Sequence, residues 1–292
     1  MSILLNMDNY VNEIYSVILS LHRSRDLFKT DMDFLDKCRR ELEPFVFRAL
    51  ENIHGPMLND YWNSIKIPRV SDKAICIVER RCHPNLKFCL QNAAFYARDC
   101  SIYIFCSVAN IDYINTICGG QFENIHVFPI FNDIGTPEQG KKEYNELLKS
   151  HKFWQTFKED YVITIETDSY FLKPIPDSIY NFDYVASKWV DKESEPGGGG
   201  LSCRKLSVMK EILAIEGNAE LNNHEMQDTF ASHGIQLLNK KYPNLEESRR
   251  YFTEGQVCDF SSGVHQWWTF IHNLKEDNIL YLIEVFLTLE KL

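Results

Sequence analysis

The chain has 292 residues, 45% hydrophobic and 25% charged, with 41 acidic against 31 basic side chains and a net charge of −10. That length suits one large domain or two ordinary ones, and the composition excludes a mostly disordered chain, a collagen and a disulfide miniprotein. The acidity argues against nucleic acid as a partner held through phosphate neutralisation, and leaves room for an anionic substrate only where local basic groups, helix N-termini or a bound cation offset the repulsion.

The first residues carry no basic n-region and too short an apolar run for a signal peptide, and no stretch approaches ~18 apolar residues, so no transmembrane segment is expected. Residues 8–65 read as helical. Tyr10, Val11, Ile14, Tyr15, Val17, Ile18 and Leu21 fall on one helical stripe, and Phe34, Leu35, Cys38, Leu42 and Phe45 repeat it. No recognisable chemistry lies there. The expectation is an α-helical N-terminal extension (1–70) that packs on a main domain (71–292) or on a partner, with oligomerisation through these helices as one option.

From residue 74 the texture changes. Continuous apolar runs at 74–78, 101–106, 124–129 and 161–165 suit buried parallel strands. Helical stretches at 84–97, 110–118 and 141–150 lie between them. This alternation predicts an α/β fold, a Rossmann-type, mostly parallel sheet flanked by helices on both faces, with ligands at the strand C-terminal ends. After Ser169 the alternation breaks: 183–187 and 200–203 read as short strands, 207–215 and 222–233 as helices, and 277–292 as an amphipathic helix. The nine cysteines include no C-x-x-C pair and are odd in number. They read as buried, reduced thiols of a cytoplasmic protein rather than as disulfides or a structural zinc site.

Several clusters have chemical potential. Glu166-Thr167-Asp168-Ser169 follows the fourth strand, and paired carboxylates there suit Mg²⁺ or Mn²⁺, although an acid-x-acid triplet also occurs in ordinary loops. Both carboxylates reach one cleft only if the strand has already turned. The glycine run at 197–200 is neither a dinucleotide fingerprint nor a P-loop, and a flexible loop and a ligand-covering loop are both open. Asp228 or Glu225, at the start of a predicted helix, is either a general base or first-turn acid placement. His265, in Ser261-Ser262-Gly263-Val264-His265-Gln266-Trp267-Trp268, is either a metal ligand or a satisfied core histidine, and the tryptophans either stack on sugars or fill the core. Glu79 and Arg80, with His83-Pro84-Asn85 opening the next helix, either hold a nucleotide or form a solvated turn. Asn145 is placed to face the cleft, and Phe153 and Trp154 read as core.

As an ordered set these pieces resemble a known family. The set is Glu79-Arg80 with His83-Pro84-Asn85-Leu86, Tyr144-Asn145-x-Leu147-Leu148, Thr167-Asp168-Ser169, Phe182 to Trp189, Gly198 to Arg204, Gln227-Asp228-x-Phe230 and Gly263-x-His265-x-x-Trp268. Over about residues 74–272 it is similar to a family of GT-A-type glycosyltransferases long described as a domain of unknown function. Members occur in bacteria, fungi, algae and large DNA viruses. The resemblance implies a GT-A-like catalytic domain that moves a sugar from a nucleotide-sugar donor, UDP-linked, to a glycan or protein acceptor. Glu166, Asp168 and His265 would hold Mn²⁺ or Mg²⁺. Glu79, Arg80, Asn145, Thr167, Ser169, Gly199 and Gly200 would contact the donor, and Asp228 would be the base of an inverting reaction. Gln227 stands where the family usually has Glu, and Ser187-Lys188-Trp189 replaces a more usual Ala-Pro-Trp. The alternatives are a nucleotide-sugar-binding scaffold without catalysis, and a metal-dependent phosphohydrolase, for which a second set of metal ligands is not evident.

Overall fold

The computed structural model describes residues 2–189, 194–215, 226–254, 258–270 and 276–290. The fold is mixed α/β. Two long helices come first, α1 (Ser2–Arg23) and α2 (Asp31–Ser64). There follow β1 (Lys73–Val78), α3 (Leu86–Tyr96), β2 (Ser101–Ser107), α4 (Ile111–Cys118), β3 (His126–Phe131), α5 (Pro137–Leu148), α6 (His151–Gln155) and β4 (Tyr161–Ile165). The second half holds β5 (Ser169–Phe171), β6 (Tyr184–Ser187), β7 (Gly198–Lys205), α7 (Leu206–Leu213), α8 (Gln227–Leu237), α9 (Leu245–Tyr251), β8 (Phe252–Thr253), β9 (Gly263–His265), α10 (Trp267–Phe270) and α11 (Glu276–Leu287).

The main sheet has the order β3-β2-β1-β4-β7-β6, and only β7 runs against the others. Its strands are continuous apolar runs because both faces are covered. Alternation sorts their side chains by face. Ile75, Ile77, Ile102, Ile104, Ile163 and Ile165 point into one core with α1 to α4 and α11. Ala74, Cys76, Tyr103, Phe105 and Val162 point into the other, with α5 to α8. A small second sheet, β5-β9-β8, lies beyond β4. Its outer edge is closed by Asn92, fully buried, whose amide accepts from the Phe171 N–H at 2.7 Å and donates to the Phe171 carbonyl at 2.9 Å. Asn92→Ala strips both peptide groups of their partner and is expected to cost about 2–4 kcal/mol, with an unchanged slope in a urea titration.

The predicted elements are present with shifted ends. α5 starts at Pro137 rather than at 141, because Thr136 caps it by accepting from the Gln139 N–H and proline suits the first helical position. α2 runs through Gly55-Pro56 to Ser64, and it also contains Pro44. β5, β8 and β9 were not visible as strands, being three, two and three residues long. In the predicted helix 222–233, residues 222–225, which include Glu225, lie outside the described residues.

The N-terminal helices share the main core. Phe47 meets Phe88, Tyr170 and Trp268 edge-on at 5.8, 6.0 and 5.9 Å, and the Trp268 indole N–H donates to the Arg39 carbonyl at 3.2 Å. Of the α1 stripe, Ile14, Ile18 and Leu21 are buried and Tyr10, Val11, Tyr15 and Val17 pack half-buried against the same core, so the stripe is largely used within the chain. All nine cysteines are unpaired, and eight are buried. No described helix is long and apolar enough to cross a membrane.

Candidate functional site

The order β3-β2-β1-β4 creates a switch point. The chain leaves β1 toward β2 and returns through α5 and α6 to β4 on the other side of β1. In sheets of this kind the crevice at the C-terminal ends of the two diverging strands binds ligands. Glu79 to Arg81 follow β1 there, and Glu166 to Ser169 follow β4.

Immediately after β4 the backbone turns. The Glu166 N–H donates to the Gly200 carbonyl at 3.1 Å, and the Ser169 N–H donates to the Glu166 carbonyl at 3.0 Å. This turn brings the i and i+2 carboxylates together. β5 then pairs antiparallel with β9, Ser169 opposite His265, which carries the imidazole to the two acids. His265 Nε2 lies 3.2 Å from Asp168 Oδ1 and 3.7 Å from Glu166 Oε2. One ligand atom from each residue falls within 4.8 Å of the others, and among the described residues this is the one such group.

The electrostatics are those of a site built around positive charge. Burial, and then the neighbouring Asp168, push the Glu166 carboxyl up to about 7. Burial opposes ionisation of Asp168 too, but the charge and close approach of His265 and the hydrogen bond from Gln266 outweigh it, so Asp168 is held below its usual value. Burial disfavours the charged imidazole, yet Glu254 and Asp168 raise His265 well above its ordinary value. Asp168 Oδ1 and His265 Nε2 are buried with no hydrogen-bond partner, which leaves two ligand atoms pointing at each other. Two carboxylates and one imidazole, with the imidazole Nε2 3.2 and 3.7 Å from the carboxylate oxygens, could hold a divalent cation.

Three further residues support the cluster, and none was singled out as a site residue from the sequence. Glu254 Oε1 stands 3.2 Å from His265 Nδ1, the far side of the ring. A carboxylate in that position fixes the orientation and tautomer of a ligating imidazole. Glu254 gets there because Thr253 pairs with Val264 in the short β8–β9 ladder. Gln266 holds a left-handed backbone, φ 46°. Its side chain donates to Asp168 Oδ2 at 2.5 Å and its N–H to the Asp168 carbonyl at 3.2 Å. The Tyr144 hydroxyl, on α5, hydrogen-bonds Glu166.

All but the first residue of the glycine run belong to a buried strand rather than a loop. Gly198 to Gly200 belong to β7, and the β6 register slips there, from Ala186 opposite Ser202 to Ser187 opposite Gly198. A Cβ on Gly200 would lie 2.1 Å from His265 Cε1, so the imidazole rests directly on the backbone. A Cβ on Gly199 would lie 2.6 Å from Gln227 Nε2, 2.9 Å from Arg204 Nη2 and 3.0 Å from Asp228 Cβ.

Asp228 sits in the first turn of α8, half-buried, and its Oδ1 accepts from the Thr229 N–H at 2.7 Å. The helix start is held by Asn145, whose Oδ1 accepts from the Gln227 N–H at 2.7 Å while its Nδ2 donates to the Lys141 carbonyl at 2.7 Å. Asn145 therefore anchors α8 to α5. Gln227 accepts from Arg204 at 2.5 Å, and Arg204 also donates to Ser202 Oγ at 2.9 Å. Arg204 is fully buried between the rings of Trp154 and Tyr184, with no carboxylate in ion-pair contact among the described residues.

On the β1 side, Glu79 is buried and accepts from the Arg81 N–H and guanidinium at 2.7–2.8 Å and from Thr167 Oγ1 at 3.3 Å. Arg80 points elsewhere. Its guanidinium is met by Asp133 and Glu143 and lies over the Phe131 ring, beside a cleft of about 620 Å³ lined also by Phe128 and Leu147. Ser169 Oγ is buried and donates to the Gly200 carbonyl at 3.1 Å. Trp267 and Trp268 are fully buried core. The cluster thus gathers Glu166, Asp168, His265 and Gly200, with Thr167, Ser169 and Glu79 behind it and Gly199 and Asp228 beside it, while Arg80 and Asn145 tie helices and loops together.

Among solved structures, mouse xyloside xylosyltransferase 1 is similar at 9% identity over 75% of this chain and 94% of that chain, with a TM-score of 0.44. The glycosyltransferase GlyE of Streptococcus pneumoniae TIGR4 is similar at 9% identity over 73% and 63% of the two chains, with a TM-score of 0.46. A cytidylyltransferase from Leptospira borgpetersenii is similar at 14% identity over 50% and 65%, with a TM-score of 0.32. No curated protein matches the chain. Residues 133–266, which carry Glu166, Asp168, Asp228 and His265, match the family described as Protein of unknown function (DUF5672).

Proposed function

We propose that the protein is a metal-dependent GT-A-type glycosyltransferase that moves a sugar from a UDP-linked donor to a glycan or protein acceptor. The observation that carries this reading is the Glu166, Asp168 and His265 cluster at the switch point, with buried ligand atoms that lack hydrogen-bond partners. Glu166, Asp168 and His265 hold Mn²⁺ or Mg²⁺, which when bound neutralises charge on a leaving diphosphate. Glu254 and Gln266 keep His265 and Asp168 in place. The close-set backbone of Gly199 and Gly200 floors the site. Asp228 takes the proton of the acceptor hydroxyl as that oxygen bonds the anomeric carbon on the face opposite the diphosphate, whose bond to the sugar breaks, so that one displacement inverts the centre. Thr167, Ser169 and Glu79 shape the donor side. Residues 71–292 are the catalytic part of the chain, on a core that the N-terminal helices complete. Nine unpaired cysteines suit a reducing compartment such as the cytoplasm.

The test is release of UDP from UDP-sugars with and without Mn²⁺. Asp168→Asn is expected to abolish the metal-dependent release, and Asp228→Asn to lower kcat by about 10²–10⁴-fold at unchanged donor KM. Metal ligands must shed their protons. With Glu166 pushed up to about 7, the thermal shift produced by Mn²⁺ is expected to grow as pH rises from about 6 to 8. Full turnover by Asp168→Asn with the metal chelated would overturn the metal site. UDP binding without transfer over a broad acceptor panel would favour a binding protein, and retention at the product anomeric carbon would overturn the role of Asp228.

A further inference from the structure

The N-terminal helices reach the edge of this site. Glu43, on α2, accepts from Asn85 Nδ2 at 2.7 Å, and the same Nδ2 donates to the Thr167 carbonyl at 3.2 Å, one residue from Asp168. His83 Nε2 lies 3.6 Å from Glu43 Oε1. Both contacts use Oε1, and Oε2 has no hydrogen-bond partner among the described residues. The Glu43 side chain is 20% exposed, so an edge of the carboxylate stays open. The position is unfavourable for an acid. Burial, and then the charge of Asp168, push its carboxyl up to about 7. Structural needs do not require an acid here, since a neutral acceptor would serve Asn85 as well.

We propose that Glu43 accepts hydrogen bonds from the ribose hydroxyls of the nucleotide, so that α2 completes the donor site. This inference rests on the nucleotide-sugar reading. The diphosphate belongs at Glu166, Asp168 and His265, and the sugar belongs beside Asp228, on the β7 side. The nucleoside then extends to the opposite, β1 side, where Arg81, His83 and Glu43 stand. Arg81 is held to Glu79 through Nε and Nη2, and its side chain is 57% exposed. A carboxylate at that end repels phosphate and finds few N–H donors on a pyrimidine. A ribose presents two adjacent hydroxyl donors, which carboxylates bind in other nucleotide sites.

The test compares UDP, 2′-deoxy-UDP and 3′-deoxy-UDP by calorimetry in the presence of Mn²⁺, on the full chain and on Glu43→Gln. The glutamine keeps an acceptor for Asn85 and places an amino group where Oε2 stands. The full chain is expected to bind UDP about 10- to 100-fold more tightly than at least one deoxy analogue, the range for a hydrogen bond to a charged group. Glu43→Gln is expected to bring that ratio close to one, with Mn²⁺ binding retained and a thermal midpoint equal to or above that of the full chain, since the neutral amide removes an unfavourably placed charge. Equal binding of all three nucleotides by the full chain would overturn the inference and leave the nucleotide-sugar reading standing. So would discrimination that survives in Glu43→Gln. Absence of nucleotide binding in the full chain would overturn both.

Discussion

Replacement of Gly200 by alanine is expected to abolish divalent-cation binding while the chain stays folded. The added Cβ would stand 2.1–2.4 Å from three atoms of the His265 ring, far inside van der Waals contact. The ring cannot yield in place, because Glu254 faces it from behind and β9 is paired to β5. It must swing away from Asp168 and Glu166. Disturbing the shell around a metal ligand typically costs about 10–100-fold in affinity, and here the ligand itself is displaced, so the loss sits at or beyond the upper end. Titration with Mn²⁺, followed by its paramagnetic resonance, measures it. Gly120→Ala is the control, since nothing lies within 4 Å of a Cβ there. Mn²⁺ affinity in Gly200→Ala equal to that of the unmodified chain would show that the His265 ring does not ligate from its position against Gly200.

The second large effect is expected at Trp268, fully buried where the N-terminal helices meet the site. Its ring packs edge-on against Phe47 of α2 and Trp267, and its N–H bonds the Arg39 carbonyl. Trp268→Ala removes this contact and leaves a cavity between α2 and the segment that carries His265. The expected cost is about 3–5 kcal/mol, which lowers the thermal midpoint by roughly 10 °C. Deletion of residues 1–65 uncovers the same face, with Phe88 and Tyr170, and is expected to leave a chain without a cooperative unfolding transition. A truncated chain that unfolds at the original midpoint would show that residues 71–292 need no helical cover.

The sequence by itself carried the architecture of the first half. Strands buried on both faces must be apolar throughout, and helices between them must be striped, so β1 to β4 and α3 to α5 could be read from spacing alone. It also carried the acid pair, because Glu166 and Asp168 follow an apolar strand directly and strand ends are where such sheets bind. His265 and Asp228 entered through their place in an ordered set of motifs, which local physics did not rank above core histidine and helix capping.

Tertiary structure alone decided the rest. Arg80 and Asn145 are polar residues at strand and helix ends, where ligand contact and internal hydrogen bonding look the same in sequence. Only packing shows that Asp133, Glu143 and the Gln227 N–H take up their polar groups. Gly197 to Gly200 read as a loop because glycine lacks strand propensity, yet β7 needs glycine at 199 and 200 because Arg204, Asp228 and His265 press on the backbone. Glu254 stands behind His265 through the register of a two-residue strand, and Glu43 reaches Asn85 through the docking of a helix 42 positions away in the chain. Hydrophobic periodicity reports which face of an element is buried. It does not report which distant element buries it, and these site contacts are made by that choice.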